Sequence, residues 1–453
     1  MRTVSESDIS QAQANMQFVQ ALAAAGGDYC RVQMPPEDLA KVTEIEFPDG
    51  IQLGGDLVSD YNLDQYPFTK MPNLRKLRIR DPETILPTGY FCHMESRQAE
   101  IEMPYSVLRS HMFRACYLKS VKLTAGGRMG EHDVAKAFYH CEAERVELPE
   151  GLTKIQPYIF YYSRIRNSVG IPSTVQRICE DAFYGSYQKE VILPEACATV
   201  GNRAFSSCTS LAELDISHVQ SMGYRAFYGC RSLKEVECNM ATVSEQAFFG
   251  SGLTFVRFGP NVTTISNRAF GQCYSLKSLD LPQNVTQVGW NAFDRCKGLV
   301  TVRLRNQTAT LHQPFTVCQG LKTIYFDWAL PTRADGERYI SGLGLTSSQI
   351  GSADRNGRVA WISSGACSSD AVRSALAVGP ALAAIGIETQ FQRGVLYAEF
   401  GQEGMSLETA DALTRALAQV GGAMDIVFAD ANRKPLKAIS DLSQVKAVLF
   451  RPR

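Results

Sequence analysis

Residues 258–282 read FGPNVTTISNRAFGQCYSLKSLDLP, and their pattern recurs along most of the 453-residue chain. The Ala269-Phe270 pair has counterparts in VGNRAFSSC, MGYRAFYGC, VSEQAFFGS and VGWNAFDRC, with phenylalanine at 205, 227, 248 and 293. The same register extends back through Phe183, Phe160, Phe138, Phe113, Phe91 and Phe68, and forward to Phe315. Twelve phenylalanines thus fall 21 to 25 residues apart. A fixed period in this range predicts a repeat array, each unit being one supersecondary element.

Within a unit, SLKSLDL, SLKEVEC, GLVTVRL or GLKTIYF alternates apolar and polar residues and predicts a strand. A Pro or Gly turn follows, as in LPQN and FGPN, and then a short strand-like piece such as VTTI or VTQV. Gly201, Ser244, Ser266 and Gly289 occupy the place of a helix N-cap, so the x-x-Ala-Phe segment is expected to form one or two helical turns. The small Ala lets that turn approach its neighbour, and Phe is expected to point inward and stack on the next Phe. Cys116, Cys141, Cys208, Cys230, Cys273, Cys296 and Cys318 each stand three residues after a Phe. That spacing places them on the same face, as small buried hydrophobes. A metal-binding ladder would need paired Cys spacing and His partners, which these units lack.

These motifs, most cleanly residues 171–186 (IPSTVQRICEDAFYGS) and 258–282, resemble the BspA-type leucine-rich repeat over about Val42 to Trp328. The resemblance implies an α/β fold: a curved right-handed solenoid with a parallel sheet on its concave side. It also implies a protein that binds other proteins or surfaces. Met94, Ser163, Ser186 and Ser251 replace the Cys in four units, and AGGRMGEHD is a short insertion between Phe113 and Phe138.

A repeat array needs caps at its open ends. Residues 1–41 are read as an N-terminal helical cap, with a helix over 7–25 that Ser7 or Asp8 opens and Gly26-Gly27 stops. Ile9, Ala12, Met16 and Val19 are expected on its buried face. The solenoid takes residues 42–330, a linker rich in Gly, Ser and charge takes 331–357, and a small α/β domain takes 358–453. In that domain RVAWIS, ALAAIGIETQFQ, GVLYAEF, MDIVFAD and VKAVLF read as strands. Two helices are expected, one from Ser368 or Ser369 to Val378 and one opened by Ser406. The order β-α-β-β-α-β, plus a last strand, suggests a ferredoxin-like sandwich.

Lys plus Arg and Asp plus Glu are both 46, so the formal net charge is zero. Such a balance gives no global pull toward nucleic acid, and no nucleic-acid partner is expected. The start MRTVSESDISQAQANMQ lacks the basic and apolar regions of a signal peptide. No stretch reaches the roughly 18 apolar residues of a membrane span. The expectation is a cytoplasmic protein, or one exported without a cleavable signal. The 13 Cys are odd in number and contain no Cys-x-x-Cys, which favours reduced thiols.

Motifs for catalysis are missing: there is no HExxH, no GxxxxGK and no GxSxG. All six His precede residue 313, so Cys367 has no His base in its own region. Glu131-His132-Asp133 reads better as a polar loop than as a metal or acid–base cluster. The Asn-x-Thr sequons at Asn261, Asn284 and Asn306 are explained by turn chemistry. No catalytic residue, cofactor or metal is expected.

Residues flanking the middle apolar position of each strand point to solvent. On the concave face they predict a partner-binding surface of Lys76, Arg78, Arg80, Glu190, Glu213, Asp215, Glu235, Glu237, Phe255, Arg257, Arg303 and Tyr325. Glu213, Asp215, Glu235 and Glu237 would fall on consecutive strands about 5 Å apart. Like charges that close repel unless something basic offsets them. Phe255 and Tyr325 offer aromatic anchors. The expected function is a non-catalytic scaffold that binds a protein, in particular a basic segment. The alternative is a secreted host-directed effector or surface adhesin whose C-terminal domain has a second binding or catalytic role.

Overall fold

The computed structural model describes residues 6–26, 32, 34–53, 67–127, 132–167, 169–327 and 342–345, and shorter pieces of 360–452. The chain divides into two compact units, residues 1–231 and 232–453.

In the first unit, β1 (Glu44–Glu46), β2 (Lys76–Arg78), β3 (Glu100–Pro104), β4 (Tyr117–Thr124) and β5 (Glu142–Glu147) form one sheet in that order. The short strands β7 (Arg164–Ile165) and β8 (Val169–Gly170) complete it on β5. A second ladder joins β6 (Lys154–Ile155), β9 (Arg177–Ile178), β11 (Thr199–Val200) and β13 (Ser221–Met222). The pair β10 (Glu190–Val191) and β12 (Glu213–Leu214) forms a third. All of these pairings are parallel. Each strand pairs with its counterpart in an adjacent repeat, which is the register of a coil wound on itself.

The helical turn expected at x-x-Ala-Phe does not form; the segment is a run of turns. Every fourth residue is left-handed, as at Arg203 (φ 52°) and Ser207 (φ 61°). The N–H groups of Ala204, Ser206 and Cys208 donate locally, to Gly201, Arg203 and Phe205. Those of Arg203, Phe205 and Ser207 donate instead to Tyr224, Ala226 and Tyr228 of the next coil, at 2.8, 2.8 and 2.6 Å. A helix would spend every N–H within itself. With a left-handed residue at every fourth position, every second N–H of the segment lies along the stack, so the coils are stitched on this side as they are at the strands. Each left-handed non-glycine residue costs about 1–2 kcal/mol, and the added inter-coil hydrogen bonds offset that cost. The glycine at the start of the segment is not an N-cap. A Cβ on Gly223 would lie 2.4 Å from the Asn202 nitrogen, so close backbone approach demands glycine.

The phenylalanines form the expected interior column. From Phe91 through Phe113, Phe138, Phe160, Phe183 and Phe205 to Phe227, neighbouring rings stack 5.0 to 5.6 Å apart and within 20° of parallel. In the second unit Phe248, Phe270, Phe293 and Phe315 stack at 5.2 to 5.7 Å and within 25° of parallel. These spacings follow the separation of paired strands. The ladder cysteines do more than fill space. The thiols of Cys116, Cys208, Cys230, Cys273, Cys296 and Cys318 donate to the carbonyl of the preceding unit's phenylalanine, at 2.9 to 3.3 Å. The Phe183, Phe205, Phe248, Phe270 and Phe293 carbonyls also accept a local amide, so the thiol adds a second hydrogen bond to each. Where Ser replaces Cys, the Ser186 and Ser251 hydroxyls meet the Cys208 and Cys273 sulfurs of the next coil.

Helix α1 (Glu6–Ala24) covers the N-terminal end. Its buried face is Ala14, Phe18 and Leu22, not the face predicted; Ala12 and Met16 are exposed and Val19 is half-buried, while the Ile9 side chain lies outside the described residues. Phe18 packs edge-on against Phe68 at 6.2 Å. Asn15 explains the rotation. Its side-chain oxygen accepts from the Thr43 and Glu44 amides at 2.8 and 3.2 Å, and its amide donates to the Thr43 hydroxyl. The amides at the start of the first strand are thereby satisfied. A short helix, α2 (Pro36–Leu39), leads into β1.

The second unit repeats the ladders. One joins β14 (Glu235–Cys238) to β16 (Phe255–Phe258), and another joins β15 (Thr242–Val243), β17 (Thr264–Ile265), β19 (Gln287–Val288) and β21 (Thr310–Leu311). A third runs β18 (Ser278–Leu281), β20 (Thr301–Leu304), β22 (Thr323–Phe326) and β23 (Ala360–Ser363). The segment RVAWIS therefore adds a strand to the solenoid sheet, parallel to β22. Within the stretch read as a linker, Leu343 and Leu345 are buried, and the Leu343 carbonyl receives the Phe315 amide at 3.0 Å. Those residues continue the turn ladder by one step.

Beyond them, β24 (Thr389–Gln392), β25 (Val395–Glu399), β27 (Ala447–Pro452) and β26 (Met424–Ala429) form an antiparallel sheet in that spatial order. Helix α3 (Leu407–Val420) precedes β26, and the Ser406 hydroxyl caps it by accepting the Thr409 amide. The strand read over 381–392 begins only at Thr389; Ala381 and Leu382 are helical. The helix expected from Ser368 or Ser369 lies outside the described residues except at Val378.

Candidate binding surface

Strand β2 buries Leu77 and turns Lys76 and Arg78 outward; β3 buries Ile101 and turns out Glu100 and Glu102. Strict alternation follows from the pleat. In register, Lys76 stands beside Glu100, and Arg78 beside Glu102. The next strand sets Ser120 and Lys122 beside them, and the one after sets Arg145 and Glu147. The outward face is thus a grid of alternating sign. Arg78 reaches Glu102 at 3.1 Å, Lys122 reaches the same carboxylate at 3.3 Å, and Lys119 reaches Glu100 at 2.6 Å. Arg80 binds Glu46 at 2.6 Å, and Arg145 binds Glu147 at 3.0 Å. The hydrogen bond from Lys119 holds the Glu100 carboxyl below its usual pKa. A groove of about 370 Å³ runs over these strands, lined by residues from Lys76 to Asn167.

The acidic residues predicted to form one stripe belong to different surroundings. Glu190 and Glu213 are exposed neighbours in register in the first unit. Asp215 is tied down locally, accepting the Ser217 amide and hydroxyl at 2.9 and 2.8 Å, which lowers its pKa. Glu235 and Glu237 belong to the second unit. There Glu235 lies beside the half-buried Phe255, and Glu237 lies beside Arg257, 3.9 Å away.

Farther along the second unit the predicted surface is covered. Tyr325, expected as an exposed aromatic anchor, is fully buried against Val378, Leu382, Ile387, Leu396, Met405 and Val448. Burial pushes its hydroxyl pKa up to about 12. Ser278, Thr301 and Thr323, also outward positions by the strand pattern, are buried too. The Thr301 hydroxyl donates to the Thr389 carbonyl at 3.1 Å. Arg303 is largely enclosed and grips Asp327 with two nitrogens, at 3.0 and 2.8 Å. The reason is tertiary: the chain's own C-terminal residues pack on this face. No period within a repeat could announce that.

Other sequence candidates are engaged in structure. Asp133 accepts the Ala135 amide at 2.8 Å, His132 lies edge-on to Tyr105, and Glu131 lies outside the described residues, as does Cys367. Asn284 and Asn306 donate to two carbonyls each in the preceding coil. Among the described residues, no three His, Cys, Asp or Glu are placed to hold a metal ion. No helix among them is long and apolar enough to cross a membrane.

Comparison with known proteins finds other leucine-rich-repeat proteins. A leucine-rich-repeat protein from Bacteroides ovatus is 20% identical and aligns over 71% of this chain and 84% of its own, with a TM-score of 0.42. A leucine-rich cell surface protein from Faecalibacterium prausnitzii is also 20% identical, over 68% of this chain and 87% of its own, with a TM-score of 0.37. A pneumococcal vaccine antigen is 15% identical over 64% and 80%, with a TM-score of 0.35. No curated protein matches the chain. The family model for the BspA type leucine-rich repeat region matches in 6 copies, over residues 39–129, 134–252 and 241–332. With well over half of its length accounted for by that repeat, the chain belongs to the BspA-type leucine-rich repeat family.

Proposed function

We propose that this protein is a non-catalytic scaffold that docks a protein partner on the outward face of the first unit's sheet. The observation that carries this reading is the contrast between the two units. In the second unit the outward face of β18, β20 and β22 is already an interface, covered by residues of the same chain. In the first unit the outward face of β2 to β5 is a groove of about 370 Å³. Cations and carboxylates alternate along it, so it suits a protein surface with both signs of charge rather than a polyanion. The in-register pair Glu190 and Glu213 favours a basic stretch in that partner.

A photo-crosslinking amino acid at Ser120, in the groove, tests the proposal, with the covered position Thr323 as control. The expected result is a discrete, salt-sensitive adduct from Ser120 and none from Thr323. The adduct should disappear in the full chain carrying Lys122→Glu and Arg145→Glu. Adducts unaffected by those reversals, or equal at both positions, would remove the reading.

A further inference from the structure

A second recess lies past the carboxyl ends of β2 and β3, where the 82–85 loop, the turn at 105–109 and the 126–127 turn meet. It encloses about 450 Å³ and is lined by Gln52, Glu83, Thr84, Ser106, Arg109 and His132, among others. Its walls are held closely. The Ser106 hydroxyl donates to the Pro82 carbonyl at 2.7 Å, and Gln52 donates to the Glu83 carbonyl at 2.6 Å. A Cβ on Gly127 (φ 59°) would lie 2.7 Å from the Ser106 side chain.

Arg109 is the unusual member. Its guanidinium is half-buried, and its Nη1 donates to the Ser106 and Leu108 carbonyls at 2.5 and 2.9 Å. Among the described residues no carboxylate lies within ion-pair distance of it, unlike the outward cations of β2 and β4. Burial lowers its pKa from the ordinary arginine value. Enclosing a cation without a counterion is unfavourable, and a bound anion relieves it. The Thr84 hydroxyl on the same recess is buried and makes no hydrogen bond of normal geometry, although it lies near the Asp81 carboxylate.

We propose that this recess binds a carboxylate, gripped by the Nε and Nη2 edge of Arg109 and accepting from the Thr84 hydroxyl. A guanidinium edge matches the two oxygens of a carboxylate. Glu83 on the rim opposes a second negative charge, so the ligand is a monoanion rather than phosphate. The carboxylate belongs either to a small organic acid or to the end of a peptide chain.

The test uses the full chain labelled with ¹⁵N-arginine and follows the arginine Nε–Hε signals by NMR. The probes are propionate, N-acetylglycine, N-acetylglycinamide and inorganic phosphate, at matched ionic strength. One signal, absent in Arg109→Gln, should shift saturably with the two acids, at least about ten-fold more weakly with phosphate, and not with the amide. Tighter binding of N-acetylglycine than of propionate assigns the peptide terminus; the reverse assigns a free acid. Arg109→Lys keeps the charge and loses the fork, and should weaken binding about ten-fold, read at the Gly127 amide in uniformly ¹⁵N-labelled protein. No saturable shift, or an equal response to all anions and to chloride, overturns the proposal.

Discussion

Replacing Phe205 by alanine should cost about 3–5 kcal/mol of stability. The ring is fully buried and lies between Phe183, at 5.0 Å and 6°, and Phe227, at 5.4 Å and 2°. Its removal gives up about 1.5–3 kcal/mol of apolar burial. It also breaks two stacked contacts, each worth about 0.5–1.5 kcal/mol. The void cannot close, because the Phe205 amide is hydrogen-bonded to the next coil at 2.8 Å and the Cys230 thiol holds the Phe205 carbonyl at 3.2 Å. Phe205→Leu keeps most of the apolar area and loses only the stacking, so about 1–2 kcal/mol is expected. Urea unfolding followed by circular dichroism gives both values from the midpoint and slope. Repeat arrays can unfold in parts, so amide exchange at Phe183 and Phe205 should localise the loss to the adjoining coils. Tyr187→Ala, at a side chain that is 44% exposed, is the control. A cost for Phe205→Ala below about 1 kcal/mol, or equal to that of Tyr187→Ala, would refute the column as a source of stability.

Asn15→Ala should destabilise the N-terminal cap by about 1–3 kcal/mol, because it leaves the Thr43 and Glu44 amides without their acceptor; exchange at those two amides reports it. Gly223→Ala should cost about 1–3 kcal/mol through the contact with Asn202, visible as a lower urea midpoint, whereas Gly250→Ala has open space and only a left-handed backbone to resist it. Burial pushes the Cys208 and Cys273 thiols up to about 12. An acid whose pKa is raised by folding contributes fully below its unfolded value and loses that contribution as pH rises toward the folded one. Stability should therefore fall above about pH 9 by roughly 1.4 kcal/mol per pH unit for each such thiol. The same cysteines should resist thiol reagents at pH 8 until urea unfolds the chain, and rapid labelling of the native protein would contradict their burial.

The repeat was legible because each unit buries the same residues in the same way. Phe270 meets the environment of Phe248 and Phe293, so one spacing announces all three. The outward pairs of the first sheet were legible too, since alternation along Lys76-Leu77-Arg78 follows from the pleat alone. The turn segment was misread as helical because Ala-Phe and a three-residue spacing suit a helix locally. Its hydrogen bonds go to a coil about 22 residues away, as in Arg203 to Tyr224, and local propensity carries no trace of that partner. The cap face was misjudged for a related reason: Asn15, a polar residue, sets the rotation by satisfying the amides at the start of β1.

Sequence alone determined that this chain coils, where its strands lie and which side chains fill the interior, because those properties repeat and periodicity records them. Tertiary structure decided which outward faces stay open. Tyr325 and Arg78 occupy equivalent strand positions, yet residues 378–448 bury the first, while the second faces a groove. Arg109 likewise lies in a recess that three separate loops create. Contacts between segments so far apart along the chain have no period, and only folding brings them together.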